Sequence, residues 1–297
     1  MEHSGEVVLM VYKSRRVLPT FLEGIGTGLP VVLVDNSYLE DDIGDLLADY
    51  PNVRRVDAGG NIGFSAAANL GARSTSTPIL IFMNPDTRPR AATLDSLVEY
   101  LQSNPDVAAV GASGVGTAGG GAQPTLRRVL AHVVGWTRRS PSSGVFYHEL
   151  GGRHLDAEWI SGSCMAIRRE AFEAVGGYDP EYFIYMSDFD LGRRLQQAGY
   201  RQRILGDCVV PHDDGGSSDL PTPWTWERRS RAWVRFLRRT QPLPAALAIT
   251  SLFAVGYAAR IVIYAVSGQH NRCREQLTYL TALASEWARP TTSALAG

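Results

Sequence analysis

Three acidic residues stand where an apolar stretch gives way to a turn or a helix. Asp35 ends the run PVVLVD, Asp86 lies two residues after the run PILIFMN, and Asp188 lies at the start of a segment with helical spacing. Asp35 can accept a hydrogen bond from a nucleobase N–H, and Asp86 can bind a divalent cation on a phosphate through its oxygen atoms. A carboxylate at the position of Asp188 can take a proton from a hydroxyl group. Taken alone, each also fits a turn or a helix cap.

Two further polar positions accompany these carboxylates. His212 follows a short apolar stretch and precedes Asp213 and Asp214. It can ligate a metal or contact a phosphate, although a lone loop histidine more often has neither role. Asp190 lies two residues after Asp188, and the helical rotation between them points the two side chains in different directions.

The elements that must position these residues alternate along the first hundred or so residues. Four apolar runs have the length and composition of buried parallel strands, namely Glu6–Tyr12, Pro30–Asp35, Pro78–Asn84 and Val107–Ala112. Helical spacing lies between them, in Thr93–Ser103, around Ile43–Leu47 and in Phe64–Arg73. This alternation predicts an α/β fold with a mostly parallel sheet and helices on both faces, in which ligands bind at the carboxyl ends of the strands. The residues expected at those ends are Lys13, Asp35, Asn36, Asn84, Pro85 and Asp86.

The composition argues against several classes of protein. The 297 residues are 44% hydrophobic, which suits a folded core, and a net charge of −1 argues against nucleic acid as a partner. The three cysteines are too widely spaced for a disulfide framework or a C-x-x-C zinc site. The N-terminal residues MEHSGEVVLM lack the pattern of a signal peptide, so we expect a reducing, cytoplasmic environment. The glycines of Gly24–Gly28 precede a strand instead of following one, which argues against a dinucleotide-binding loop.

Two stretches are rich in residues typical of loops. Gly111–Gly121 contains six glycines, and Arg138–Gly144 is polar and contains a proline. We expect both to be mobile surface segments, with a lid over the site as the alternative.

The last part of the chain has a different composition. Leu243–Val266 is almost wholly apolar, but Arg260 interrupts it, and the part before Arg260 is marginal for crossing a bilayer, which takes about 20 apolar residues. Upstream lie six arginines and three tryptophans, namely Arg228, Arg229, Arg231, Arg235, Arg238, Arg239, Trp224, Trp226 and Trp233. This composition is typical of an anionic membrane interface, although the tryptophans can instead pack inward. We therefore predict a catalytic domain of residues 1–240 and a tail of residues 241–297 that associates with a membrane surface or another subunit.

Taken in order, these segments resemble glycosyltransferase family 2, and within it the bacterial rhamnosyltransferase-type members. The resemblance covers roughly residues 6–240 and rests on the combination of motifs. The motifs are Asp35, GNIGFSAAAN at 60–69, Asn84-Pro85-Asp86, WISGS at 159–163, AFEAVGGYD at 171–179 and SDFD at 187–190. The resemblance implies a GT-A fold, which is Rossmann-like, followed by a C-terminal helical segment. It also implies an inverting transfer from a nucleotide sugar.

The resemblance further implies roles for the matching residues. Asp35 corresponds to the aspartate that recognises a pyrimidine base, Asp86 to a metal ligand and Asp188 to the general base. His212 corresponds to a later histidine that assists the metal or the diphosphate. The residues assigned to the nucleotide sugar are Tyr12, Lys13, Asp35, Asn36, Asn61, Gly63, Phe64, Asn69, Asn84 and Asp86. Those assigned to the acceptor are Ser161, Gly162, Ser187 and Asp190.

Two positions depart from the family pattern. Ser187 stands where a glutamate usually precedes the base, and Lys13 stands where the first strand usually continues through Tyr-Asn-Ser. Both departures bear on the identity of the donor and acceptor more than on the reaction class.

The resemblance thus implies a Mg²⁺- or Mn²⁺-dependent enzyme that uses a dTDP- or UDP-sugar, with dTDP-L-rhamnose as the leading donor. The basic segment and apolar tail indicate a polyprenyl-linked or cell-envelope glycan acceptor and a location at the inner face of the cell membrane. A homodimer formed through the tail is the alternative. Two other functions stay open, a non-catalytic partner subunit, which Ser187 favours, and a different nucleotide-binding enzyme.

Overall fold

The computed structural model describes residues 4–37, 41–115, 119–133, 145–147, 150–212 and 222–289. The chain forms two compact units, the first comprising residues 1–124, 128–183 and 187–219 and the second comprising 125–127, 184–186 and 220–297. The long continuous part of the second unit starts at residue 220, whereas the tail predicted from the sequence starts at residue 241. Asp213, Asp214 and the predicted loop Arg138–Gly144 lie outside the described residues.

A mixed sheet forms the centre of the first unit. The strands of this unit are β1 (Gly5–Val11), β2 (Val31–Asp35), β3 (Val53–Asp57), β4 (Ile79–Met83), β5 (Val107–Val115), β6 (Gly120–Gly121), β7 (Leu155–Ala157), β8 (Trp159–Ile160), β9 (Cys164–Arg168) and β10 (Arg201–Pro211). The large sheet has the order β3-β2-β1-β4-β9-β5-β10-β7, and β6 pairs with β8. Strands β3, β2, β1 and β4 are parallel, as are β5 and β10, whereas β9 is antiparallel to both of its neighbours.

Helices cover both faces of this sheet, as predicted. Those preceding residue 200 are α1 (Leu18–Ile25), α2 (Gly44–Leu47), α3 (Phe64–Arg73), α4 (Ala91–Ser103), α5 (Leu126–Val133), α6 (Arg169–Ala174) and α7 (Ser187–Gln197). Alternate residues of β1 enter different cores because successive side chains of a strand point to opposite faces. Leu9 lies in the core that contains α1 and α4, and Val8 lies in the core that contains α3, α6 and α7.

The prediction of a mobile loop at Gly111–Gly121 is wrong for most of that segment. Gly111 lies in β5, and Gly120 and Gly121 form β6. A Cβ on Gly111 would lie 2.4 Å from Cγ2 of Ile160, and one on Gly121 would lie 1.9 Å from the carbonyl oxygen of Val145. Gly121 is therefore required for the close approach of the Val145 backbone, and a side chain on Gly111 would displace that of Ile160.

The second unit contains the helices α8 (Thr222–Thr240), α9 (Leu243–Val266) and α10 (His270–Trp287). Its tryptophans pack inward, since the ring of Trp226 lies 6.3 Å from that of Tyr279 and the ring of Trp233 lies 5.6 Å from that of Phe253. Several arginines of α8 form ion pairs or ring contacts within the unit. Arg231 pairs with Glu227, Arg235 pairs with Glu286, and Arg229 lies over the ring of Tyr185. Trp226 and Trp233 therefore pack inward, as in our alternative to a membrane interface.

Helix α9 is by length and composition apolar enough to cross a bilayer, and only 17% of its most apolar window is buried. The exposed apolar residues of α9 recur at intervals of one or two helical turns, which places most of them along one side. They are Leu243, Leu247, Val255, Val262, Ile263 and Val266.

Candidate active site

The carboxylate of Asp35 lies at the carboxyl end of β2 and is almost completely buried, with 1% of its side chain exposed. Its Oδ1 accepts a hydrogen bond from the Ser37 backbone N–H (2.8 Å), and its Oδ2 accepts one from Nη2 of Arg55 (2.6 Å). Arg55 lies on the edge strand β3 with 36% of its side chain exposed. A buried carboxylate is costly unless it is paired, and Arg55 supplies the cation that pairs with Asp35 at this strand end. Sequence reasoning missed Arg55.

The exit of β1 contributes Tyr12 and Lys13. The backbone N–H of Lys13 donates to Oγ of Ser37 at 2.7 Å, and the Lys13 ammonium lies 5.5 Å from the centre of the Tyr12 ring. Lys13 has a φ of 50°, a left-handed conformation that is uncommon for a residue with a side chain. Tyr12, Lys13 and Asp35 thus meet through Ser37 at one edge of the sheet.

Asn36 organises the loop before α3. Its Oδ1 accepts a hydrogen bond from the Ile62 backbone N–H (3.0 Å), and its Nδ2 donates to Oδ1 of Asn61 (3.3 Å). Oδ1 of Asn61 also accepts a hydrogen bond from the backbone N–H of Gly63 (3.1 Å). Gly63 has a φ of 86°, and a Cβ there would lie 2.6 Å from the carbonyl oxygen of Phe183. The structure thus gives Asn36 and Asn61 a role in shaping the loop that Gly63 closes.

Asp86 and His212 come together although 126 residues separate them. Both side chains are largely buried, and Nε2 of His212 lies 3.1 Å from Oδ1 of Asp86. The pairing is fixed by the backbone, because His212 follows β10 and forms a bridge with Thr87. The side chain of Thr87 in turn donates to the carbonyl oxygen of Asn84 at 2.6 Å.

The separation of Oδ1 of Asp86 and Nε2 of His212 is also that of two ligands on one divalent cation. Two ligands that occupy neighbouring octahedral positions about 2.1 Å from Mg²⁺ lie about 3 Å apart, close to the observed separation. Among the described residues, no group of three or more His, Cys, Asp or Glu side chains could hold a metal. A cation at Asp86 would therefore take its other ligands from phosphate and water, which is how Mg²⁺ is commonly bound at phosphate-transfer sites.

The turn between β8 and β9 connects these groups to Asp188. The backbone N–H of Asn84 donates to the carbonyl oxygen of Ser163 (3.3 Å), and Oγ of Ser161 lies 2.9 Å from Oγ of Ser163. Gly162 lies between the two serines, and a Cβ on it would come within 2.9 Å of Oδ1 of Asp188. The two predicted acceptor residues, Ser161 and Gly162, thus lie between the Asp86 segment and the predicted base.

Asp188 is in the first turn of α7, as the helical spacing predicts. A position in the first turn of a helix favours the charged form of a carboxylate, but burial dominates here and raises the pKa of Asp188 to about 6. The backbone N–H of Gly162 and the hydroxyl of Tyr178 act in the opposite direction and limit this rise in pKa. At neutral pH the carboxylate is therefore mostly ionised, yet its proton affinity is higher than that of an exposed aspartate.

Four other predicted residues have structural surroundings that explain their positions. Asn69 accepts a hydrogen bond from the backbone N–H of Tyr178 (2.9 Å) and donates to its carbonyl oxygen (2.7 Å), so it fixes that residue in place. Asp190 accepts a hydrogen bond from Nε of Arg194 at 2.8 Å. Ser187 is buried as the first residue of α7. Phe64, at the start of α3, packs its ring edge-on to that of Tyr178 with centres 5.4 Å apart.

The sequence is similar to a known protein family and to several characterised proteins. Residues 7–176 match the sequence pattern of Glycosyl transferase family 2. The chain is 29% identical over 236 residues to an N-acetylglucosaminyl-diphospho-decaprenol L-rhamnosyltransferase of Mycobacterium tuberculosis, covering 71% of this chain and 76% of that protein. It is 30% identical over 196 residues to the O-antigen biosynthesis protein RfbC of Myxococcus xanthus, covering 63% of this chain and 15% of that protein.

A solved structure supports the predicted fold. The mannosyltransferase PcManGT from Pyrobaculum calidifontis, in complex with GDP-Man and Mn²⁺, superposes with a TM-score of 0.58 at 17% identity. The match covers 96% of this chain and 87% of that protein. At this identity the similarity establishes the fold alone, and it confirms the GT-A architecture.

Arg55→Ala tests the pairing at Asp35. The substitution leaves a buried carboxylate without its cation, so we expect the free energy of unfolding in urea to fall by about 1–3 kcal/mol. The matched control is Arg54→Ala on the same strand, where the arginine is 53% exposed and lies 3.8 Å from Glu6. The control should change stability by less than about 1 kcal/mol. Equal losses in the two variants would contradict the pairing.

Proposed function

Because the chain belongs to glycosyltransferase family 2, we propose that it transfers rhamnose, with inversion, from a dTDP- or UDP-sugar to a hydroxyl group of a lipid-linked or cell-envelope glycan. Its activity as a glycosyltransferase follows from the family. The donor and acceptor classes draw support from the mycobacterial relative, whose name specifies L-rhamnose transfer to a decaprenol-linked sugar.

One observation carries the catalytic part of the proposal. Asp188, with a pKa raised to about 6, lies beside Gly162, and the carbonyl oxygen of neighbouring Ser163 accepts a hydrogen bond from Asn84. Asn84 begins the segment that carries Asp86. This connection supports a role for Asp188 as the base close to the Asp86–His212 pair. A transferase of this class needs one base and one leaving-group site, whereas a glycosidase needs two carboxyl groups that flank the scissile bond.

Different residues are assigned to the attacking hydroxyl group and to the departing nucleoside diphosphate. Asp188 takes the proton from the acceptor hydroxyl as that oxygen forms a bond to the anomeric carbon. The bond from the anomeric carbon to the diphosphate breaks, and the nucleoside diphosphate leaves. A single displacement of this kind inverts the anomeric centre. Asp35, fixed by Arg55, is assigned to the nucleobase at the end of β2.

Asp86, assisted by His212, is assigned to a Mg²⁺ or Mn²⁺ ion. Bound there, the ion would neutralise negative charge on the departing diphosphate. The mannosyltransferase of the same fold is in complex with GDP-Man and Mn²⁺, which supports the use of a divalent cation. A carboxylate oxygen of Asp86 together with phosphate oxygens is a suitable ligand set for either Mg²⁺ or Mn²⁺.

The second unit is assigned to the membrane surface. The arginines of α8 are engaged in internal contacts, so this assignment rests on the exposed apolar side of α9 instead. Burying such side chains in the interfacial region of a bilayer is favourable, and a lipid-linked acceptor would be presented there. Association of two copies through α9 is the competing assignment.

Asp188→Asn tests the base. The variant keeps the shape of the side chain but removes its basicity, so kcat should fall by about 10²–10⁴-fold while the Kd for the donor changes little. The measurements are steady-state turnover and calorimetric donor binding. A large loss of donor affinity would instead place Asp188 among the donor ligands.

Asp190→Asn, in the same helix, serves as the control for this test. It breaks the ion pair with Arg194 and should lower stability without abolishing turnover. Turnover of the wild-type protein also distinguishes an enzyme from a non-catalytic partner subunit. Binding of the donor without transfer of sugar would favour the partner subunit.

Val255→Asp combined with Val262→Asp tests the membrane assignment. These valines are 67% and 63% exposed on α9, and a charge on the apolar side should weaken cosedimentation with anionic vesicles by about tenfold or more. Leu277→Asp is the control, since Leu277 is 45% exposed on α10 and should tolerate the charge. Unchanged vesicle binding would refute the assignment. A dimer that dissociates in the double variant, with no vesicle binding by wild-type protein, would favour self-association.

A further inference from the structure

Two buried oxygen atoms, one from Tyr178 and one from Asp188, lie next to Gly162. A Cβ on Gly162 would lie 2.9 Å from Oδ1 of Asp188 and 3.1 Å from the Tyr178 hydroxyl, so both oxygens border the same small space. Among the described residues neither oxygen has a hydrogen-bond partner of good geometry. Each group nevertheless shifts the pKa of the other, so the two are close neighbours. Buried polar groups without partners are costly, so their juxtaposition calls for an explanation.

Tyr178 is held so firmly that its hydroxyl has a fixed position. Its side chain is completely buried, and both of its backbone polar groups are bonded to Asn69. Its ring packs edge-on against Phe64 and Phe82 and lies 5.7 Å from the ring of Phe172. A hydroxyl fixed in this way cannot turn toward solvent, so Asp188 is the polar group to which it can donate a hydrogen bond.

The protonation states make Tyr178 the donor. Burial and the charge of Asp188 raise the pKa of Tyr178 well above that of an exposed tyrosine, so the hydroxyl keeps its proton throughout the working range of pH. Arg194 is the cation that faces Tyr178, and its charge is shared with Asp190. The backbone N–H of Gly162 faces Asp188, and Phe64 on α3 contributes only an apolar ring.

We propose that Tyr178 is a positioning residue for the base, whose hydroxyl engages Oδ1 of Asp188 and leaves Oδ2 to receive the proton of the acceptor hydroxyl. This inference rests on the proposed role of Asp188. Gly162 belongs to the same arrangement, because a Cβ there would crowd both Oδ1 of Asp188 and the Tyr178 hydroxyl. Asn69 supports it from α3 by fixing the backbone of Tyr178.

Removal of the Tyr178 hydroxyl should change the pKa of Asp188 in one direction. Burial raises the pKa of Asp188 to about 6, and a hydroxyl that donates to the carboxylate opposes that rise. Removing the hydroxyl should therefore raise the pKa of Asp188 further. Because the base must be ionised to act, the acid limb of the pH–kcat profile should move to higher pH.

Tyr178→Phe is the variant that tests this inference. We expect the acid limb to move up by about 1 pH unit, which is the usual effect of losing one hydrogen bond to a charged group. Turnover should then fall about fivefold near pH 6 and stay close to wild type well above pH 8. Tyr182→Phe removes a second buried tyrosine hydroxyl from the same loop and should leave the profile unchanged.

A second measurement separates this inference from the function on which it rests. The Asp188 carboxyl carbon is titrated by ¹³C NMR in aspartate-labelled protein and is identified by its absence in Asp188→Asn. A rise in both the NMR pKa and the acid limb supports the proposal, and no change in either overturns it. A rise in the NMR pKa alone would support the Tyr178–Asp188 contact but contradict the role of Asp188 as the base, and so overturn the proposal.

Replacement of Tyr178 by 3-fluorotyrosine keeps the test decisive if Tyr178→Phe does not fold. The fluorinated ring fills nearly the same space, and its more acidic hydroxyl is a stronger donor. The acid limb should then move to lower pH, opposite to the effect of phenylalanine. An unchanged acid limb would overturn the proposal.

Discussion

Any side chain at position 162 would displace the carboxylate of Asp188. Much of the candidate site is arranged around this close approach of Gly162 to Asp188. The turn that carries Gly162 is held on one side by the bond from Asn84 to Ser163. On the other side, Tyr178 is fixed to α3 by Asn69, and α3 itself begins where the N–H of Phe64 donates to the carbonyl oxygen of Phe183. The position of this buried carboxylate therefore depends on contacts between segments that are far apart in the chain.

Much of the fold could be predicted from the sequence because its central strands are buried on both faces. Strands β1, β2 and β4 are continuous apolar runs, a pattern that few other structures produce. The edge strand β3 was missed because its sequence, VRRVD, is charged and half exposed. Strand β9 was missed for another reason. It lies antiparallel between β4 and β5, far from both in the chain, and local spacing cannot predict such a partner.

The candidate site was predicted as a set of residues but not as a set of contacts. The pairing of Asp86 with His212 depends on β10 ending beside Thr87, which only the tertiary structure reveals. Asn69 was assigned to the nucleotide sugar, yet both ends of its amide are taken up by Tyr178. Arg55 gave no sign of its role because an arginine on an exposed strand is usually solvated. The one available indication was the buried position expected for Asp35, since a buried carboxylate requires a partner.

Calorimetric titration of dTDP, UDP and GDP, with and without Mg²⁺ or Mn²⁺, tests the central claim that the strand ends around Asp35 and Asp86 hold a metal-bound pyrimidine nucleotide. The titration is made on wild-type protein and on Asp86→Ala. The account predicts that dTDP or UDP binds more tightly than GDP, that the metal strengthens binding by about tenfold or more, and that Asp86→Ala loses this gain. Preference for GDP, or binding that is the same without metal and in the variant, would contradict it.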